Sequence, residues 1–120
     1  MDITDLTNKI NKSTDEVDLI TARKLLENNL ELVGKHRQLL NRNARSLFEI
    51  IRDHGVKQTT LNRSEMNTIY AINSYATNFD LNGLKLSIKN NLELLMREDI
   101  RHYLNQDAKA LLSGMKVLQQ

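Results

Sequence analysis

The sequence contains no cysteine, no proline and no tryptophan, and its only glycines are Gly34, Gly55, Gly83 and Gly114. Without cysteine there is no disulfide framework and no thiolate metal site, which suits a reducing compartment. Without proline, and with glycine scarce, few positions force a helix to stop. No apolar run approaches the roughly 20 residues that a membrane-spanning helix requires. The opening residues, Met1 to Leu6, start acidic and lack the basic-then-apolar pattern of a secretory signal. The expectation is a cytoplasmic protein with no membrane partner. A length of 120 residues suits one domain, 1–120, around one core.

What the chain does have is leucine, asparagine, lysine and glutamate at helical spacing, which predicts an all-α fold. Its net charge of +2 is unevenly spread. Residues 1–32 carry seven acids and four bases, whereas residues 33–63 carry seven bases against Glu49 and Asp53. Such asymmetry marks either a partner-facing surface or an internal match between an acidic and a basic segment.

The word Asn-Asn-Leu-Glu-Leu occurs at 28–32 and again at 90–94, 62 positions later. The same shift places Asp18 and Leu19 on Asp80 and Leu81, Arg23 on Lys85, Leu26 on Ile88, and Val33 on Leu95. A shift of 64 places Leu40 and Asn41 on Leu104 and Asn105, Ala44 on Ala108, and Phe48 on Leu112. A two-residue insertion confined to a connection is what a duplicated helical hairpin should show. The expected architecture is a bundle of about five main helices. Two homologous hairpins, 18–54 and 80–117, flank a central helix at 65–78, and 1–13 forms a short helix or stays flexible.

Local signals set the expected boundaries. Asp18 and Asp80 each precede an apolar-periodic segment and can cap it, with Ser13 to Glu16 a competing capping box. Gly34 and Gly55 are expected to end helices as left-handed caps, and Ser64 to cap the central one. The last helix is expected from Asp99 to Val117.

On a helical wheel, Asn29 falls among Leu19, Ala22, Leu26, Leu30 and Val33, while Asn28 faces out. Asn91 likewise falls among Leu81, Leu84, Ile88, Leu92 and Leu95, with Asn90 outside. An inward amide needs hydrogen bonds, because leaving it bare costs a few kcal/mol. Either Asn29 and Asn91 bond the backbone of a packed helix, or they line a groove and hold an incoming peptide. They are the candidate partner-binding residues.

Signals for catalysis are weak. His36 and His54 lie some five turns apart on one expected helix, too far to share a metal. Asp99 and His102 have the spacing of a surface ion pair, and no second such motif supports a di-metal bundle. There is no phosphate-binding glycine loop and no nucleophile motif, so neither an enzyme nor a cofactor is expected. The basic stretch 35–63 raises nucleic acid as an alternative partner, through Arg42, Arg45 and Arg52 on one polar face. Glu49 and Asp53 interrupt that face, and Arg45–Glu49 has ion-pair spacing.

Ala44 followed by Phe48, and Ala108 followed by Leu112, resemble the small-then-large spacing in the second helix of tetratricopeptide-type repeats. The 62–64-residue period is nearly twice the roughly 34 of that family, and its first-helix Trp, Leu-Gly and Tyr positions have no counterparts. The resemblance implies a peptide- or protein-binding surface. The function expected from the sequence is therefore a non-catalytic protein-interaction or self-association module, with a nucleic-acid-associated regulator as the alternative.

Overall fold

The structure, a computed structural model, describes residues 2–53 and 60–118; His54, Gly55 and Lys57 lie outside them. The described chain is all-helical, with no strand. In order it forms α1 (Ile3–Asp15), α2 (Leu19–Asn28), α3 (Leu30–Lys35), a 3₁₀ turn (Arg37–Leu39) and α4 (Arg42–Arg52). Then follow α5 (Arg63–Thr77), α6 (Leu81–Asn90), α7 (Leu92–Leu95), a second 3₁₀ turn (Asp99–His102) and α8 (Gln106–Gly114). None of these helices is long and apolar enough to cross a membrane.

This is more finely divided than the expected five main helices. The segment read as one helix from 18 to 33 breaks at Asn29. The segment expected as a helix over 35–54 is a 3₁₀ turn, an extended Leu40 and then α4. The last expected helix likewise divides into the second 3₁₀ turn and α8.

The capping chemistry explains these limits. Asp18 accepts from the Thr21 N–H at 3.1 Å, and Asp80 from the Gly83 N–H at 3.0 Å. Ser13 starts no helix: it lies buried inside α1, as does Thr14, whose hydroxyl donates to the Ile10 carbonyl. Asn62, rather than Ser64, caps α5, in a reciprocal box with Glu65. Burial of Leu6 and Ile10 holds α1 against α2 and α4, which offsets the cost of nucleating a short helix.

Glycine does not close these helices. α1, α5 and α8 each end on a left-handed residue, Val17 (φ 55°), Phe79 (φ 54°) and Lys116 (φ 65°). At each end the next N–H reaches back five residues and the left-handed residue's own N–H three, the double bond pattern of a Schellman cap. Gly34, expected as a cap, sits within α3, where a Cβ would lie 3.4 Å from the Phe48 ring. It permits close approach and stops nothing.

A single apolar cluster draws side chains from every helix, including Ile10, Leu26, Val33, Phe48, Ile72, Ile88, Leu95 and Leu112. It is continuous between residues 3–52 and 63–118. α7 packs on α4, and the Ile20 N–H donates to the Lys116 carbonyl at 3.1 Å.

Candidate partner groove

The two Asn-Asn words are helix breaks. Asn29 leaves helical geometry at φ −134°, ψ 29°, and Asn91 at φ −138°, ψ 43°. The Asn29 N–H shortens its reach to the Leu26 carbonyl, and the Asn29 side-chain amide donates to the Leu25 carbonyl at 2.9 Å. Asn91 repeats this, its N–H on the Ile88 carbonyl and its side chain on the Ser87 carbonyl at 2.8 Å. The carboxamide thus supplies the i→i−4 hydrogen bond that the backbone no longer makes. Two successive poor helix formers place the break, and the second fills it. Asn28 and Asn90 are exposed as expected, but Asn29 and Asn91 are half-buried and bond their own helix. Among the described residues, neither makes the bond to a packed helix that is one of the two expected roles.

That inter-helix role belongs to Asn11 and Asn73, which the sequence reading passed over. Asn11 donates to the Leu39 carbonyl at 3.1 Å and accepts from the Asn41 N–H at 2.9 Å. Asn73 donates to the Tyr103 carbonyl at 3.0 Å and accepts from the Asn105 N–H at 2.9 Å. Each clasps the residue, Leu40 or Leu104, just ahead of the asparagine, Asn41 or Asn105, that caps the next helix. Their 62-residue separation was the available signal.

Between α4, the start of α5 and the α6–α7 break lies an open groove of about 990 Å³. Asn90 and Asn91 line it, together with Ser46, Ile50, Leu92 and Leu94. Among the described residues, no protein group donates to the Asn91 side-chain Oδ1, whereas its backbone carbonyl accepts from the Leu95 N–H. Glu49, Asp53, Glu65 and Glu93 line the groove with Lys89 and Arg97, so its lining is net acidic. Asn29 has no place in this lining.

Arg97 anchors one end of the groove and is only 7% exposed. It grips Asp99 through two bonds, Nε to Oδ1 at 3.0 Å and Nη2 to Oδ2 at 2.7 Å, and lies 3.6 Å from Glu65. The other Glu65 oxygen accepts the Asn62 N–H, so one carboxylate joins the α5 cap to the arginine. These hydrogen bonds hold the Asp99 carboxyl below the ordinary aspartate range. Asp99 therefore serves Arg97, where the sequence suggested a pair with His102.

Arg42, Arg45 and Arg52 are exposed on α4, as is Glu49. Two of the three have partners within the molecule. Arg52 contacts Asp53 at 3.1 Å and lies 5.6 Å from the centre of the Phe48 ring. Arg45 turns back to the Leu40 carbonyl at 3.4 Å, not forward to Glu49. Among the described residues, no group of three or more histidine or acidic side chains is placed to hold a metal ion. Comparison with known protein families, curated proteins and solved structures finds no match to this chain.

Proposed function

We propose that the chain is a non-catalytic helical module that binds a protein partner through the groove between α4, α5 and the α6–α7 break. The observation that carries this reading is the groove's combination of apolar floor and free polar handle. Half-exposed Ile50 offers apolar surface above the buried Leu92 and Leu94, and the Asn91 side-chain Oδ1 offers an acceptor for a backbone N–H. A cytoplasmic setting suits a chain without cysteine. Nucleic acid is less well supported, because Arg45 and Arg52 already have partners within the molecule.

The reading includes an origin for the fold: two tandem copies of one unit, 3–52 and 63–114. On this view the helix at 63–77 is the first helix of the second copy, equivalent to α1, and no central spacer exists. The paired Schellman turns, Asn breaks and Asn clasps, each 62 residues apart, support it.

The test is co-purification from the native cell after nuclease treatment. Ser46→Arg with Asn90→Arg would fill the groove at exposed positions and should abolish partner recovery. Replacing Arg42, Arg45 and Arg52 together by Gln should leave recovery intact. The opposite pattern, with binding lost steeply as salt rises, would transfer the function to nucleic acid.

A further inference from the structure

The charge of the groove runs against that of the chain. The protein carries a net charge of +2, yet Glu49, Asp53, Glu65 and Glu93 line the groove with only Lys89 and Arg97. Nor are these charges equally available. Arg97 is only 7% exposed and is held by Asp99, which lies outside the lining, so its charge is already matched. Glu65 is shared between Arg97 and the Asn62 N–H, and Asp53 contacts Arg52. Glu49 and Glu93 are both exposed, and among the described residues neither has an ion-pair partner. One stands on α4 and the other on α7, and the packing of α7 on α4 brings them to a single space.

A cleft lined by one sign of charge raises the local concentration of the opposite sign. The cation it collects is not a metal ion, because among the described residues no three acidic or histidine side chains converge to hold one. The polar groups beside the carboxylates suit a peptide backbone instead. Asn91 Oδ1 awaits a donor, and the exposed Asn90 carboxamide next to it offers both a donor and an acceptor. An extended chain has unpaired N–H and C=O groups to meet them, whereas a helix satisfies its own except at its ends.

Resting on the groove reading, we infer that the bound part of the partner is an extended segment carrying lysine or arginine. A backbone N–H of the segment donates to Asn91 Oδ1, and its cationic heads reach Glu49 and Glu93. Half-exposed Ile50 covers the aliphatic stem of one such side chain. Exposed charges attract over about 8 Å at physiological salt, so the complex forms fast and weakens as salt rises. That salt dependence belongs to Glu49 and Glu93, whereas that of a bound nucleic acid would follow Arg42, Arg45 and Arg52.

Phage display of short random peptides against the full chain tests this, with circular dichroism confirming the fold of each variant. Lysine and arginine should be enriched over their library frequency, and acidic residues depleted. For a synthetic copy of the most enriched peptide, Glu49→Gln with Glu93→Gln should weaken binding roughly tenfold and flatten its salt dependence. The difference spectrum of the complex should show no helix gained by the peptide, and a gain would overturn the extended form. Enrichment of neutral or acidic peptides that Ser46→Arg with Asn90→Arg still blocks would overturn the basic segment and keep the groove. Basic peptides indifferent to both double variants would sink the groove and this inference together.

Discussion

Among the described residues, three hold left-handed backbone without being glycine, and they should respond oppositely to the same substitution. Left-handed geometry costs an L-residue about 1–2 kcal/mol. Phe79 and Lys116 are exposed, so Phe79→Gly or Lys116→Gly relieves strain and loses little packing. Each should raise stability by about 0.5–1 kcal/mol, read as the urea midpoint. Val17 is fully buried, and Val17→Gly surrenders burial worth about 1.5–3 kcal/mol. That variant should melt lower. Equal effects at all three sites would mean that strain, and not burial, decides the balance. The asparagine pairs offer a second contrast at this scale. Asn29→Ala or Asn91→Ala removes a bond to a carbonyl in the preceding turn and should cost about 0.5–1.5 kcal/mol. Asn28→Ala or Asn90→Ala should be neutral or slightly stabilising, because alanine is the better helix former.

At the scale of elements, the two clasps decide how α4 and α8 are hung. Asn11→Ala or Asn73→Ala removes two hydrogen bonds to backbone that lies about 30 residues away, and because water can reach the freed groups each should cost about 0.5–1.5 kcal/mol. Asn→Asp at either position should rescue only the accepting half. Thermal melts of the four variants would show this, and an Asp variant as stable as wild type would refute the two-ended clasp. How far the elements were legible in the sequence follows from the range of the forces. Asp18 and Asp80 were readable because a cap bonds an amide only three residues ahead. The apolar wheel correctly placed Leu26, Val33 and Ile88 inside, since burial follows periodicity. The break at Asn29 was not read, because the wheel assumes the continuous helix that a side-chain-to-backbone bond interrupts. Asn11 was invisible for a different reason: its partners are distant, and no local pattern announces them. Of the candidate site, Asn91 reached a groove while Asn29 did not, a difference made by packing between the halves.

For the whole molecule, the Arg97–Asp99–Glu65 network ties the α5 cap to the segment after α7. Asp99 has a lowered pKa when folded, so its contribution is complete above the ordinary aspartate pKa of about 3.9. It is lost as pH falls through the folded value. Urea midpoints of wild type and Asp99→Asn should differ most above about pH 4 and converge toward pH 2. A difference that grows in acid would reverse the assigned sign.

The Ile20–Lys116 hydrogen bond also carries a kinetic consequence. The clasps close loops of about 30 residues, an inexpensive entropic step that each half can complete by itself. The bond from Ile20 waits for a residue near the other end of the chain. During synthesis the first half can therefore form its helices and clasp while its α1–α2 turn still lies open. If covering that turn is the late event of folding, weakening it should speed unfolding and leave the folding rate almost unchanged.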